Sequence, residues 1–131
     1  MKKILLPLVA LAFATPAAAQ SIVVTGTEEV DSAPLSVAYE ELMAGRNQLA
    51  LDKLTHSNID PQDPSRLINL GTAYARLGKP ADARSAYKAA IASPVRYDLE
   101  LANGDFMDSR WAARTALANL DAGKPLLALA R

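Results

Sequence analysis

The sequence predicts an all-α domain of stacked helical hairpins with one small β-hairpin inserted near residues 95–107. Three observations support this fold class. Apolar and small side chains recur every three or four residues over 64–94, as on one face of each of two helices. The turn and small residues of that pair recur 33 positions earlier, and the turn recurs 45 positions later. After the pair over 64–94, residues 95–101 alternate apolar and charged side chains. They are followed by Asn103-Gly104, a strong hairpin signal.

The central pair of helices carries its own boundary residues. Gly78 ends the first helix, because glycine adopts the left-handed conformation at low cost. Pro80 begins the second, where its missing N–H is not needed, and Pro94 stops it. The stripe residues of the first helix are Leu67, Leu70 and Tyr74, and those of the second are Ala83, Ala86, Tyr87, Ala90 and Ile91.

The spacing within this pair is Leu67-x2-Leu70-Gly71-x2-Tyr74, then Ala83-x3-Tyr87 and Pro94. It resembles the tetratricopeptide repeat (TPR), with Leu67 where that family prefers Trp and Tyr87 where it prefers Phe. We expect Gly71 and Ala83 to face each other where the helices cross, since larger side chains would separate the axes. The resemblance covers this one repeat, residues 64–94, about a quarter of the chain.

A degenerate first repeat is predicted over 33–61. One helix is expected from Pro34 to about Ala44, and a second from about Asn47, a plausible N-cap, to His56. Its small, turn and terminal residues align with those of the central pair, namely Ala38, Gly45, Ala50, Leu54 and Pro61 with Gly71, Gly78, Ala83, Tyr87 and Pro94. Glu41 stands at the place of Tyr74, which predicts weaker packing.

The predicted hairpin occupies 95–107, with a face of Tyr97, Leu99 and Phe106 expected to lie on the helices. A partial third repeat, 108–131, follows. Its first helix is expected to start near Asp108 or Ser109 and to reach about Ala122. The final seven residues, 125–131, are too few to hold a helix alone and either dock on the preceding apolar face or fray. Four aromatic residues are expected to belong to the core: Tyr39, Tyr74, Tyr87 and Trp111.

Residues 1–19 have the features of a bacterial signal peptide. Lys2 and Lys3 precede an apolar run of about eleven residues, and Ala17-Ala18-Ala19 offers a cleavage site before Gln20. The run is shorter than the roughly 20 residues that a membrane-spanning helix needs. We therefore expect an exported, periplasmic protein with no integral span after signal removal. Residues 20–32 are expected to form a flexible leader, which could lie along a groove or add to a partner's sheet edge.

Composition argues against several classes of function. Without the two signal lysines, 12 of the 14 basic residues remain against 14 acidic ones, so no electrostatic footprint for nucleic acid exists. The sequence has no cysteine and one histidine, His56, so neither a zinc site nor a nucleophilic triad is expected. We expect no cofactor, and we expect the protein not to be an enzyme.

The TPR resemblance implies a function in protein–protein interaction, with a partner peptide or helix bound in the groove formed by the first helix of each repeat. Some grooves of that family clamp a peptide carboxylate with Lys, Asn and Arg. The matching positions here are Asn69, Arg110 and Arg114, whereas Leu35 and Tyr39 replace the first-repeat Lys and Asn. An open alternative is an accessory subunit of an envelope complex that uses the convex face or the β-hairpin. Self-association could also cover an end of so short an array.

Overall fold

A computed structural model describes residues 37–101 and 103–124. The predicted signal peptide, the predicted leader and the last seven residues lie outside these ranges. The described chain is mainly helical with one antiparallel strand pair, which confirms the coarse fold prediction. Its elements are α1 (Tyr39–Met43), α2 (Asn47–Thr55), α3 (Pro64–Arg76), α4 (Pro80–Ala92), β1 (Asp98–Glu100), β2 (Phe106–Asp108) and α5 (Ser109–Asp121).

Helix α3 lies at the centre and packs on both sides. Its N-cap is Asp63, whose Oδ1 accepts a hydrogen bond from the Arg66 N–H at 2.9 Å. One face joins a cluster with α1 and α2, and the other joins a cluster with α4, β1 and α5. The rest of the described chain is thus arranged around this helix.

Helix α1 is shorter than the predicted one, and its predicted start at Pro34 lies outside the described residues. Ala38 precedes it in the left-handed region, with φ 58°. Arg46, not Asn47, is the N-cap of α2, so Asn47 is already helical. Glu41 is buried and forms an ion pair with Lys53 Nζ at 2.5 Å. A charged pair therefore occupies the place that Tyr74 fills in the central repeat.

The β-hairpin pairs Leu99 with Met107 and Glu100 with Phe106. Leu99 is fully buried and belongs to the same apolar cluster as α4 and α5. Since side chains alternate along a strand, Phe106 lies on the opposite face and is 67% exposed. The prediction that Phe106 packs on the helices was wrong, because Met107 takes the inward position opposite Leu99.

Helices α5 and α3 begin and end with the same types of residue. Asp108 caps α5 as Asp63 caps α3, accepting from the Trp111 N–H at 3.1 Å. Gly123 follows with φ 59°, as Gly78 follows α3 with φ 72°. These correspondences fall at the predicted offset of 45.

The side chains of α5 are covered on one side of the helix. Its buried stripe, Ala112, Ala113 and Ala116, lies 45 positions after Leu67, Ile68 and Gly71 of α3, which are also buried. In α3 a second set of residues packs on α1 and α2, namely Leu70, Ala73 and Leu77. Of the positions 45 residues later, Thr115 is half-buried, and Ala118 and Ala122 are exposed. The side of α5 that corresponds to the α2-facing side of α3 is therefore turned outward in the described chain.

Candidate functional site

Asn69, the first predicted groove residue, lies inside the fold. It sits in the middle of α3, is fully buried, and donates from Nδ2 to the Val37 carbonyl oxygen at 2.8 Å. Its amide thus holds the backbone that leads into α1. At the place where the resemblance implies a peptide contact, Asn69 binds a segment of its own chain.

Arg110 and Arg114 lie one turn apart on α5 but in different surroundings. Arg110 is half-buried, and its Nη2 donates to the Ser93 carbonyl oxygen at 3.2 Å, while its Nε is buried without a partner in the described chain. Arg114 is exposed. Because Asn69 is enclosed and Arg114 points to solvent, the three predicted residues are not gathered in one open groove.

Two aromatic side chains, which the sequence predicted to be inside, instead lie at the surface. Phe106 on β2 is 67% exposed and Trp111 on α5 is 56% exposed. Arg114 and Ala118 continue the exposed face of α5 from Trp111. We name the set of Phe106, Trp111, Arg114 and Ala118 the hairpin–α5 surface.

Trp111 lies on the side of α5 that is not covered in the described chain. Its counterpart at an offset of 45 is Arg66, which packs toward α2 and donates from Nε to the Leu54 carbonyl oxygen at 3.1 Å. Trp111 occupies the corresponding position on α5, but no helix of the described chain lies against it as α2 lies against Arg66. The alternation of the hairpin could have indicated the exposure of Phe106, but no local signal shows which way α5 is turned.

The charges around this surface are unevenly paired. Arg96 Nε donates to Asp108 Oδ2 at 2.6 Å, which holds the pKa of the Asp108 carboxyl below its usual value. Arg84 pairs with Asp121 near the other end of α5. Arg114 has no acidic partner among the residues that the structure describes. The surface therefore combines two exposed aromatic rings with the guanidinium of Arg114. Carboxylates stand on the same hairpin face as Phe106, since Glu100 is its cross-strand partner and Asp98 lies opposite Asp108.

The hairpin is fixed to the helices at its base. The Tyr97 hydroxyl donates to Asp63 Oδ2 at 2.6 Å, and burial together with that carboxylate raises the pKa of Tyr97. The Ser109 N–H donates to the Tyr97 carbonyl oxygen at 2.9 Å. Phe106 and Trp111 are attached to elements that are held in this way. The backbone that carries them should therefore lose little conformational entropy when a partner binds.

Over 37–101 and 103–124, no group of three or more His, Cys, Asp or Glu residues lies close enough to hold a metal ion. The helices of those ranges are all too short or too polar to cross a membrane.

Comparison with known proteins adds no relative to this description. No protein-family model matches the sequence, and neither a curated protein nor a solved structure matches the chain. The TPR resemblance therefore rests on the residue spacing within this chain.

Proposed function

We propose that this chain is an exported periplasmic interaction module, built from TPR-like helical hairpins, that binds a partner protein through its hairpin–α5 surface. The observation that carries the proposal is the exposure of Trp111 and Phe106 on elements that are fixed to the core. Trp and Arg are the residues that most often dominate the binding energy of protein interfaces. Large aromatic rings contribute much contact area and few rotatable bonds.

The charge pattern indicates the chemistry of the partner. Arg114 has no acid to neutralise it among the described residues, whereas Asp108 and Asp121 are already paired. A partner segment with an apolar side chain and one carboxylate placed to meet Arg114 would complement both features. We therefore propose that the partner presents to this surface an apolar segment that carries such a carboxylate.

The groove that the TPR resemblance implies, with Asn69, Arg110 and Arg114, is the second candidate, although the three residues are not gathered in one open site. One observation favours it, which is the buried Nε of Arg110 without a partner in the described chain, since an anion could accept its hydrogen. The same groove has Asn69 engaged with Val37, so a peptide would have to displace the chain's own backbone there. This cost makes the groove the weaker candidate.

In the test, Phe106 is replaced by a photo-crosslinking analogue of phenylalanine. The partner that becomes cross-linked to it in the periplasm is then identified. The affinity of the purified partner is then measured for wild type and for the pair Trp111→Ser and Phe106→Ser. We expect the pair to weaken binding by about tenfold or more, since truncation of a central contact costs over about 1 kcal/mol.

A matched control replaces two other exposed apolar residues, Met43→Ser and Leu49→Ser, which lie on α1 and α2. Its affinity should equal that of wild type. Equal binding by the Trp111 and Phe106 variant would reject the hairpin–α5 surface. Loss of binding with Arg110→Glu alone, at unchanged stability, would instead select the groove.

A further inference from the structure

We infer that the exposed side of α5 binds the same side of α5 in a second copy of this chain, with the two helices antiparallel about a twofold axis. The inference rests on the proposed function, which makes this side of α5 a contact surface, and it names the occupant. It is carried by the exposure of Trp111 and by two opposite charges on one side of the helix, Arg114 and Asp121.

The exposed residues of α5 lie on one side of the helix. They are Trp111, Arg114, Ala118, Asp121 and the C-cap Ala122. Since each residue turns an α-helix by about 100°, they fall within an arc of roughly 100° that faces away from the buried alanines of α5. The described chain leaves this side open, and it carries the only tryptophan in the sequence.

The two charges on this side of α5 form a self-complementary pattern. Arg114 and Asp121 are separated by about 10 Å of helix, too far to pair with each other within α5. In an antiparallel pair of α5 helices whose twofold axis passes beside Ala118, each Arg114 lies opposite Asp121 of the second copy. The axis thus generates two identical ion pairs from one contact. A parallel pair would instead set like charges against each other, so the charges favour the antiparallel arrangement.

The carboxylate of Asp121 keeps one oxygen for this contact. Arg84 on α4 donates to Asp121 from Nε at 2.9 Å and from Nη2 at 2.5 Å, and both hydrogen bonds end on Oδ1. Within residues 37–101 and 103–124 no hydrogen bond reaches Asp121 Oδ2, and the side chain is 50% exposed. Since each carboxylate oxygen can accept hydrogen bonds, Oδ2 can receive the guanidinium of Arg114 from the second copy.

The contact area comes from Trp111 and the size of its neighbours. In the antiparallel register the indole of Trp111 lies within one helical turn of Ala122 of the second copy, a side chain that leaves room for the ring. Ala118 at the axis allows the helix axes to approach to about 8–10 Å. The strip is only about 20 Å long, so its area is below that of a standard interface and we expect a weak, reversible dimer. Exposed ion pairs add little affinity, and their main effect is to fix the orientation.

Two charge variants of the full chain, purified from the periplasm, test the inference. Arg114→Asp has an acid at both charged places of α5, and Asp121→Arg has an arginine at both. Each variant alone should have a dimer dissociation constant about tenfold or more above that of wild type, because the twofold axis repeats every like-charge contact. An equimolar mixture of the two should recover the wild-type constant, since each copy then meets the opposite charge. Sedimentation equilibrium measures all four constants.

Three controls separate this contact from a general effect of charge. Lys88→Asp on α4 and Glu40→Arg on α1 make the same changes of charge at other exposed positions, and each should dimerise like wild type. Arg84→Gln removes the partner of Asp121 within the chain and should not raise the dissociation constant. The loss of dimer in Asp121→Arg then does not come from the broken pair with Arg84.

The fluorescence of Trp111 gives a second measurement that needs no variant. Its emission should move to shorter wavelength as the concentration of wild type rises, because the second copy covers the indole. Emission that does not change with concentration would overturn the inference, since no second copy would then reach Trp111. A dimer that persists in both charge variants would also overturn it. So would a mixture that stays monomeric although both variants keep the helicity of wild type.

Failure of this inference is distinguishable from failure of the proposed function. If the chain stays monomeric but a different protein, captured at position 106, loses affinity for the Trp111→Ser and Phe106→Ser pair, the proposed surface stands and a second copy is not its occupant. If the mixture of charge variants restores the dimer but the captured protein binds that pair as well as wild type, the dimer stands and the surface does not serve that protein.

Discussion

The ring of Tyr87 lies against the backbone of Gly71. A Cβ placed on Gly71 would be 2.5 Å from Cε1 and 2.7 Å from Cδ1 of Tyr87. Tyr87 is fully buried, and its hydroxyl lies 3.2 Å from Thr72 Oγ1. Burial raises the pKa of Tyr87 to about 12. The atoms that a side chain at position 71 would meet first therefore belong to this ring.

Gly71→Ala should consequently destabilise the fold. Alanine favours the helix by about 1 kcal/mol, but overpacking against a fixed ring costs about 1–3 kcal/mol, so we expect a net loss of about 1 kcal/mol. Urea unfolding measures it. In a double-mutant cycle with Tyr87→Leu, the cost of Gly71→Ala should largely disappear. Additive losses would show that the ring is not the obstacle.

Tyr97→Phe should loosen the hairpin. The change removes a hydrogen bond of 2.6 Å to Asp63 in a half-buried site, and we expect a loss of about 1 kcal/mol. Hydrogen exchange of the Leu101 and Ser109 amides should accelerate more than that of amides in α2. Tyr39→Phe is the matched control, since the described chain offers no hydrogen-bond partner to that hydroxyl, and its stability should equal wild type. Equal exchange in Tyr97→Phe and wild type would contradict the proposed attachment.

The buried carboxylate of Glu41 predicts a loss of stability in acid. Its hydrogen bond with Lys53 lowers the pKa of Glu41 below the ordinary value of a glutamate, against the opposing effect of burial. A lowered pKa contributes stability above the unfolded pKa, and this contribution is lost as the pH falls through the folded value. Unfolding free energies measured between pH 7 and pH 3 should show the decline.

Lys53→Met tests the cause of that decline. The variant leaves a carboxylate that is 4% exposed without its partner, and we expect a loss of about 1–2 kcal/mol at pH 7, given that Lys53 itself is half exposed. Burial then raises the pKa of Glu41, so the variant should recover part of its stability as the pH is lowered. Lys88→Met, at an exposed position of α4, should behave as wild type at every pH. A parallel pH profile for Lys53→Met and wild type would show that the pair does not titrate as proposed.

Asn69→Ala should mainly lower the free energy of unfolding, and any effect on partner affinity should follow from that loss. The change removes a buried hydrogen bond to Val37 and leaves a carbonyl unpaired, for an expected loss of about 2 kcal/mol. Asn58→Ala, at an exposed position, should change stability by less than about 0.5 kcal/mol. If Asn69→Ala had the unfolding free energy of wild type but lost affinity for the partner, Asn69 would instead be a groove residue that contacts the partner.

The positions of helices and turns followed from local signals. Gly78, Gly123 and Pro80 mark the ends of α3, α5 and the start of α4, and each acts through its own backbone or that of its neighbours. The alternation after Pro94 located the strand pair for the same reason, although β1 begins three residues after the predicted start of the hairpin and β2 ends one residue after its predicted end. Short-range preferences of this kind depend on residues that are neighbours in the sequence, so they can be inferred without the tertiary structure.

The candidate site depended on contacts between distant segments. The residue spacing assigned Asn69 to a groove, but the backbone of Val37, 32 residues away, encloses it. The preference of aromatic residues for the core predicted that Trp111 is buried. It is exposed because the side of α5 that carries it is not covered in the described chain, and no local pattern shows which side of a helix is covered.

The amino-acid sequence by itself determined which segments become helix or strand and where each one ends, because caps, prolines and side-chain periodicity act within a few residues. The tertiary structure alone decided which face of α5 is covered and how closely the ring of Tyr87 approaches Gly71. These outcomes depend on how side chains from separate elements share one interior, and α5 is placed by Leu99 and α4 together with its own stripe of alanines.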